Sequence, residues 1–598
     1  MQKNLRQFQI HFPSENAEIY LIGPFNDWGK NLLEEYKFSN EKYPVYSLNY
    51  SLEHKTPYLF QINGKIYRDP STIVFDENLN SVYWDFNDPR AYKQKYPQVN
   101  LKEKSLKILQ TYLPGLITHF ADKKGRLGME VPQKDYYSFI TNSGVIDKIK
   151  DLGFNGIQFL PVAKAIDGDN WKFRYLSSYP GSIEDHWGDP DSFAEMVDAF
   201  HEKKIAVFND SVLSHSPSKD FRMNGISSVD SALPMSYFGE VTQWGTNRYK
   251  YNDPYIREFL VENTVNFIKN YKVDGFRIDN VDGILRFGEN GEGKERPGAR
   301  TFLRELNREI YSTNKNAIVT YEAHFFSEDN AKLLIAPIDS GPEALGATAY
   351  SSSRETYFFQ TDYMPKSADD IRASRIREII EEKEWGQSNS CIADFHNHDA
   401  AAGLMDMRAT GSYAYDALTL GHNYLHFHAI GKIKVMEAII SLCLEGRTLD
   451  LLQSFLLQLG SFEHDSSIHW FLEEIEASRA MVNFKKRINE IMDHKDFWFK
   501  NISGRKILDA DDIKKTLTIN KGSHLIFINM SSDLLYNYPV KVGSEGIYQP
   551  IFNSDEFQYC GMGTVKIEDK YESKPGLKIK IDQVAPYQIL VFKKIRTL

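Results

Sequence analysis

The sequence contains few cysteines and no long apolar segment. Its three cysteines, Cys391, Cys443 and Cys560, lie far apart in 598 residues, with neither a Cys-x-x-Cys pair nor the Cys/His spacing of a zinc site. We therefore expect reduced thiols in a reducing compartment. No run of roughly 18 apolar residues is present, so we expect no membrane span. The start of the chain lacks the pattern of a secretion signal, which favours a cytoplasmic protein.

An excess of basic charge is also absent. The chain has 71 Lys and Arg against 81 Asp and Glu, a net charge of −10, and no Lys/Arg-rich cluster, so nucleic acid is not an expected partner. Hydrophobic residues make up 42% and charged residues 25%, which allows a large core without disulfides or metals. Aromatic residues reach 13%, and this excess fits either ring stacking on a ligand or a β-rich core.

The pattern along the chain predicts three parts. Residues 1–95 contain short apolar or alternating runs separated by turn residues, which predicts an N-terminal β-sandwich. Residues 96–500 alternate helical and strand-like segments. Residues 501–598 return to strands and predict a second, C-terminal β-sandwich.

The middle part repeats a helix followed by a short apolar strand. Four such units are clear: SGVIDKIKDLGFNGIQFLPV, DSFAEMVDAFHEKKIAVFNDSVLSH, YIREFLVENTVNFIKNYKVDGFRIDNV and RTFLRELNREIYSTNKNAIVTYEAHF. This order is typical of a parallel sheet, and its length favours a (β/α)8 barrel over an open sheet. We expect residues 365–385 and 430–458 to be helical.

Charged residues stand at the ends of the predicted strands. In VDGFRIDNV, Arg277 and Asp279 lie two residues apart and therefore point to the same side of a strand. We expect Arg277 to lower the pKa of Asp279 and to hold it ionised, which would make Asp279 a candidate nucleophile. The other strand ends carry Asp210 and His215, Glu322, and the pair His398 and Asp399.

Three of these acids come from different strands and are predicted to meet above the barrel. A pair of carboxyl groups about 5 Å apart, one ionised and one protonated, is what retaining glycoside chemistry requires. Each residue alone has a simpler interpretation. Asp210 would be a structural hydrogen-bonding group, His215 a loop histidine, Glu322 an exposed acid and Asp399 a helix N-cap.

At these residues the sequence resembles the α-amylase superfamily, glycoside hydrolase family 13. Its four signature segments occur in order: DSVLSH (210–215), GFRIDNV (275–281), VTYEAHF (319–325) and FHNHD (395–399). The resemblance implies that Asp279 is the nucleophile, Glu322 the general acid/base, and Asp399 the group that binds sugar hydroxyls in subsite −1. It implies further substrate-binding roles for Arg277, His215, His398, Asp210, Trp171 and either Tyr175 or Phe173.

Other segments resemble glycogen and starch branching enzymes. IYLIGPFNDWGK (19–30) is similar to a family-48 carbohydrate-binding module, WGTNRYKYNDPY (244–255) to a segment before the second signature, and PIFNSDEFQYCGMG (550–563) to a turn of the C-terminal domain. Three segments depart from the branching pattern: YEAHF, FHNHDAAA and LQLGSFEHDSS.

The resemblance implies a 1,4-α-glucan branching enzyme that acts on glycogen, starch or amylose, without a cofactor or catalytic metal, as a monomer or small homo-oligomer. An α-amylase or debranching-type hydrolase uses the same three acids and is the alternative. A silent glycan-binding homologue is disfavoured because the three acids and Arg277 are all present. Metal-dependent hydrolysis through His215, His398 and Asp399 is a further alternative, and a structural Ca²⁺ is left open.

Overall fold

The computed structural model describes most of the chain. The described residues are 6–101, 104–165, 171–217, 222–223, 226–227, 235–287, 293–322, 348–350, 372–381, 391–394, 396–402, 412–421, 425–444, 446–498, 505–573 and 576–597. Among their helices, none is both long enough and apolar enough to cross a membrane.

The N-terminal part consists of two small antiparallel sheets. Its strands are β1 (Arg6–His11), β2 (Ile19–Ile22), β3 (Ser39–Lys42), β4 (Val45–Tyr50), β5 (Thr56–Ile62), β6 (Lys65–Tyr67) and β7 (Ser81–Tyr83). One sheet has the order β1-β4-β3, and the other has β2-β5-β6 with β7 on β5. Alternate residues of both sheets, among them Phe8, Leu21, Tyr46 and Phe60, form one buried cluster between them.

The central part is a closed parallel barrel. The strands of this region are β8 (Leu106–Thr111), β9 (Gly156–Phe159), β10 (Lys164–Ala165), β11 (Ser177–Tyr179), β12 (Ala206–Ser211), β13 (His215–Ser216), β14 (Arg222–Met223), β15 (Ile226–Ser227), β16 (Phe238–Val241), β17 (Asn247–Tyr249), β18 (Gly275–Ile278), β19 (Ile318–Glu322), β20 (Thr348–Tyr350), β21 (Cys391–Ile392) and β22 (Arg447–Asp450). Eight of them pair in the order β21-β20-β19-β18-β12-β9-β8-β22. The barrel closes where Ala393 N donates to Arg447 O (2.9 Å) and Leu449 N donates to Ala393 O (3.0 Å). The predicted (β/α)8 barrel is therefore confirmed.

Helices follow most of the barrel strands. They are α1 (Leu113–Ile117), α2 (Tyr136–Ser143), α3 (Val145–Asp151), α4 (Pro190–Glu202), α5 (Pro254–Tyr271), α6 (Val281–Leu285), α7 (Ala299–Thr313), α8 (Ala373–Glu381), α9 (His398–Ala402), α10 (Ala414–Asp416), α11 (His426–Ala438), α12 (Leu452–Phe455) and α13 (Glu476–Met492). Both α4 and α5 begin with an Asp-Pro pair, in which the aspartate caps the first turn and proline supplies the first helical residue.

The expectation of one helical region over 430–458 is wrong. Helix α11 and a π-helical turn at Ile439–Cys443 end before Gly446, and Arg447–Asp450 is the eighth barrel strand. Gly446 has a φ of 74°, a left-handed conformation that breaks the helix and lets the chain enter the barrel. The predicted helix at 365–385 is present as α8, whereas residues 365–371 and 382–385 lie outside the described residues.

The C-terminal part is again all β. Its strands are β23 (Arg505–Asp511), β24 (Thr516–Lys521), β25 (His524–Asn529), β26 (Leu535–Lys541), β27 (Ile547–Asn553), β28 (Tyr571–Glu572), β29 (Lys578–Val584) and β30 (Ile589–Arg596). A sheet of order β23-β24-β25-β30-β27-β28 and the antiparallel pair β26-β29 enclose a core that includes Phe527, Val540, Ile581 and Phe592. The domain limits of 1–95, 96–500 and 501–598 stay predictions.

Candidate active site

One guanidinium group lies at the centre of the site. Arg277, at the end of β18, is fully buried, and its Nη1 donates to both oxygens of Asp210 (2.8 and 2.7 Å) and to Asp279 Oδ1 (3.0 Å). Its Nη2 lies 2.8 Å from Glu322 Oε1 and 3.8 Å from Asp399 Oδ2. Four carboxyl groups from different strand ends therefore surround one cation, and the three predicted catalytic acids are neighbours.

The local backbone explains how β18 and β19 present their acids. A Cβ on Gly275 would lie 1.9 Å from Ile318 O, so only glycine lets these strands pair this closely. After Asp279 the chain turns sharply at Asn280, whose φ is 48°. The Asn280 side chain accepts from Gly283 N and caps α6, while its N–H donates to Glu322 Oε2 (2.8 Å). This turn holds Asp279 and Glu322 side by side.

Tyr175 and His398 lie beside the acids and contact two of them. The Tyr175 hydroxyl donates to Asp210 Oδ2 (2.9 Å) and lies 2.7 Å from His398 Nε2. The two rings are nearly parallel, with an interplanar angle of 4° and centroids 5.7 Å apart. His398 Nε2 also lies 3.2 Å from Asp399 Oδ1. Trp171 is buried, with its ring edge-on to His398 (centroids 5.6 Å apart).

Phe173, His215 and Asp399 are the remaining predicted site residues. The side chain of Phe173 lies outside the described residues, and Tyr175 is the aromatic residue whose hydroxyl contacts the acid cluster. His215 is buried in β13, and its ring lies 5.4 Å from the Trp244 ring. Burial and the nearby Arg248 lower the pKa of His215 to about 3, so its imidazole is neutral. Asp399 is the second residue of α9 rather than its N-cap.

Burial separates the acids into two groups. The Asp210 side chain has no exposed surface, whereas those of Asp279, Glu322 and Asp399 are 10%, 10% and 17% exposed. Asp210 therefore lies beneath the site as a partner of Arg277 and Tyr175. The other three acids face the open end of the barrel, where a substrate would lie.

Arg277 acts on Asp279 in the expected direction, but the expected net lowering of the Asp279 pKa is wrong. Burial and the neighbouring Glu322 raise the pKa of Asp279 well above its usual value, and Arg277 opposes them only in part. Burial likewise raises the pKa of Asp210 to about 6 against the pull of Arg277. A single guanidinium cannot neutralise four carboxyl groups, so the cluster holds protons that an isolated Asp–Arg pair would lose.

Sequence reasoning missed several residues that support the site. Gln110, at the end of β8, accepts from His398 N (3.0 Å). Phe462 packs edge-on against Trp171, and Asn280 links the two central acids. Trp244 is 49% exposed beside His215. Gln110 could have been predicted from its position at a strand end. Phe462 could not, because it lies in a loop whose path the sequence does not reveal.

Fold and site together define a class of protein: a (β/α)8 barrel whose carboxyl end carries a cluster of acids suited to glycoside chemistry. Residues 141–232 match the family model for the α-amylase catalytic domain. This stretch includes the first signature segment, DSVLSH, and the expected resemblance to the α-amylase family is confirmed there.

Curated relatives and solved structures extend this likeness along the chain. A 1,4-alpha-glucan branching enzyme GlgB from Oceanobacillus iheyensis is 24% identical over 75% of this chain and 71% of its own length. A second, GlgB 2 from Clostridium perfringens, is 23% identical over 92% of this chain and 83% of its own. A pullulanase from Anoxybacillus sp. LM18-11, solved with maltotetraose, has a TM-score of 0.70 at 15% identity, covering 99% of this chain and 86% of its own.

Proposed function

We propose that this protein is a retaining, α-glucan-active transferase that cleaves an α-1,4 bond and transfers the released chain to a 6-hydroxyl group. The observation that carries the proposal is the shared guanidinium of Arg277, which brings Asp279, Glu322 and Asp399 to one point at the mouth of the barrel. Similarity to branching enzymes over most of the chain supports transfer over hydrolysis as the outcome.

In the first step the ionised Asp279 carboxylate attacks the anomeric carbon of the donor sugar. Glu322, protonated, gives its proton to the glycosidic oxygen, so that the bond breaks and a β-glycosyl ester remains on Asp279. The hydrogen bond from Asn280 N to Glu322 Oε2 leaves the second oxygen, Oε1, beside Arg277. Asp279 must lose the proton that its raised pKa retains before it can attack, and the mechanism needs a separate proton on Glu322.

In the second step Glu322 acts as a base. It takes the proton from the 6-hydroxyl of an acceptor chain, whose oxygen then attacks the anomeric carbon and releases Asp279. Water in place of the acceptor would give hydrolysis, so the outcome depends on how the acceptor side binds sugar and excludes water.

The surrounding residues would bind and orient the sugar in subsite −1. Asp399 would accept hydrogen bonds from ring hydroxyls, and neutral His398 and His215 would donate to them. Tyr175 would present its ring as a stacking surface, held by its bonds to Asp210 and His398. Trp171 packs edge-on against Tyr175 and His398; the role of Phe173 stays a prediction.

The N-terminal part is a proposed glycan-binding module, and the protein a cytoplasmic enzyme of glycogen or starch metabolism. Within the segment that resembles the family-48 module, Phe25 packs against Tyr36 and Tyr50, whereas Trp28 is 40% exposed. An exposed tryptophan on a loop offers a flat surface for a sugar ring.

Product analysis on amylose tests the reaction. Branching predicts falling iodine absorbance, new α-1,6 linkages by NMR and few new reducing ends. A steady rise in reducing ends without α-1,6 linkages would reject branching and assign the protein as a hydrolase. No change in iodine absorbance, linkages or reducing ends, with binding to glycogen retained, would identify a catalytically inactive, glycan-binding homologue.

Variants test the roles of the two acids. Asp279→Asn should lower kcat by at least about 10³-fold because the nucleophile is lost. α-Maltosyl fluoride needs no protonation of its leaving group, so it should restore the first step in Glu322→Gln but not in Asp279→Asn. Asp147→Asn, an exposed acid on α3, is the control. Full activity of Asp279→Asn on both substrates would contradict the mechanism.

A further inference from the structure

Three potential metal ligands meet away from the acids of the site. His119 lies in the loop after the first barrel strand, and Asp465 and His469 lie in the loop after the eighth. One ligand atom from each of these residues lies within 4.8 Å of the other two. The second loop contains the segment LQLGSFEHDSS, which departs from the branching pattern.

The two loops are fixed against each other by one backbone and one side-chain hydrogen bond. Ile468 N donates to Gly115 O (2.9 Å), and Trp470 Nε1 donates to Leu116 O (2.8 Å). A Cβ on Gly115 would lie 2.5 Å from Ser466 O, so glycine permits this close contact. The separation between His119 and His469 is therefore set by a rigid frame rather than by two independent loops.

The side chains are oriented toward one another. Asp465 Oδ1 accepts from Ser467 N (2.9 Å), and Asp465 Oδ2 lies 2.7 Å from His469 Nε2. The rings of His119 and His469 lie with centroids 4.7 Å apart at 88°. The Phe471 ring covers both imidazoles, with centroids 5.2 Å from His469 and 5.6 Å from His119.

We propose that His119, Asp465 and His469 bind a divalent transition metal ion, with Zn²⁺ as the best match. Two imidazole nitrogens and one carboxylate oxygen form a donor set that suits Zn²⁺ and excludes the all-oxygen shell of Ca²⁺. Ligand atoms about 2.1 Å from zinc stand about 3.4 Å apart in a tetrahedron, so small side-chain rotations close the site. The Asp465 side chain is 43% exposed, which leaves room for water as the fourth ligand.

The ion would brace the loop that supports the substrate site. Phe462, in the same loop, packs against Trp171 with centroids 5.1 Å apart and against His398 at 6.1 Å. The Tyr413 hydroxyl donates to the Asp465 backbone oxygen. The metal is therefore a structural support, and no step of the sugar chemistry passes through it.

Metal binding to the full chain tests the proposal. After extraction with chelator, titration with Zn²⁺ should give one tight site per chain by calorimetry, and Zn²⁺ should raise Tm. Co²⁺ should give the visible absorption bands of a nitrogen-ligated tetrahedral site. His119→Asn and His469→Asn should each weaken Zn²⁺ binding at least tenfold. His464→Asn, a histidine of the same loop outside the cluster, should bind Zn²⁺ like the parent.

Folding of the variants is judged without metal. The proposal requires that the metal-free Tm of His119→Asn stay close to that of the parent while the Zn²⁺-induced rise in Tm disappears. If the parent binds no zinc at micromolar concentration, or if both variants keep stoichiometric zinc, the assignment is wrong.

Discussion

At the residue scale, the unusual feature is the ratio of charges around Arg277. One guanidinium serves Asp210, Asp279, Glu322 and Asp399, and it is fully buried. Four ionised carboxyl groups are not stable around one buried guanidinium, because burial disfavours each charged carboxylate. Retaining chemistry needs one acid charged and its neighbour protonated, and this imbalance supplies the retained proton.

The raised pKa of Asp279 predicts the acidic limb of the pH profile. Asp279 must be ionised to attack, so kcat/KM should rise with pH and level off clearly above the usual Asp pKa of about 3.9. The measurement is kcat/KM on a soluble maltooligosaccharide from pH 3 to 9.

Two further results bear on this pH profile. Replacement of His215 by Gln should lower activity without moving the limb, because His215 is neutral above about pH 3. Full activity at pH 4 would contradict the raised pKa.

At the element scale, a short turn places Trp171 and Tyr175 beside the acids. Arg174, a residue of the turn Trp171–Tyr175, anchors the turn because its Nε donates to Pro161 O (3.1 Å). Arg174 Nη1 pairs with Glu184 Oε2 (2.5 Å), and Lys164 pairs with Glu184 Oε1 (3.0 Å). Although burial opposes ionisation, Arg174 and Lys164 hold the pKa of Glu184 at about 2. A buried ion network thus anchors the substrate-facing turn.

Glu184→Gln should loosen this turn. The change leaves two buried cations with less compensation, which costs about 3–5 kcal/mol of unfolding free energy. Denaturant unfolding and KM for maltooligosaccharides measure the two effects, with KM rising because Tyr175 is less well placed. Glu381→Gln removes an exposed pair with Arg377 and should cost about 0–1 kcal/mol. Equal stability of the two variants would contradict the anchoring role.

At the scale of the whole molecule, the C-terminal sheets are fastened to the barrel. Asp496, just after α13, accepts from Ser523 N (2.8 Å) and Ser523 Oγ (2.6 Å) through Oδ2, which also lies 2.9 Å from His524 Nδ1. Ser523 and His524 belong to the hairpin between β24 and β25. Close packing of Tyr587 on Gly431 of α11 adds a second junction.

Asp496→Ala should weaken the coupling between the unfolding of the barrel and that of the C-terminal sheets. Loss of these hydrogen bonds should cost about 1–3 kcal/mol and broaden or split the thermal transition seen by calorimetry. Burial raises the pKa of Asp496, but the bonds from Ser523 and His524 outweigh it and lower that pKa overall. The stabilisation is therefore fully present above the unfolded Asp pKa of about 3.9, and it is lost as pH falls through the lower folded value.

Asp582→Ala, on an exposed strand position of the same part, is the matched control. It should leave Tm within about one degree of the parent because exposed ion pairs contribute little. An unchanged, single transition in Asp496→Ala at neutral pH would show that the packing of α11 and α13 alone joins the parts.

The sequence by itself determined the barrel and the identity of the acids that its strands bring together. Short apolar strands after amphipathic helices admit few arrangements, and parallel strands place their carboxyl ends on one face. Arg277, Asp279 and Glu322 were therefore recognisable as neighbours from spacing and strand position alone.

Only the tertiary structure decided the eighth strand at Arg447–Asp450, the support of Gln110 and Phe462, and the protonation of the cluster. Local pattern did not reveal the strand because Arg447–Asp450 is only four residues long and contains a single apolar residue, Leu449, so it lacks the apolar run of the other barrel strands. The pKa of Asp279 depends on burial and on three acids distant in sequence, and the sum of those interactions exists only after the barrel has closed.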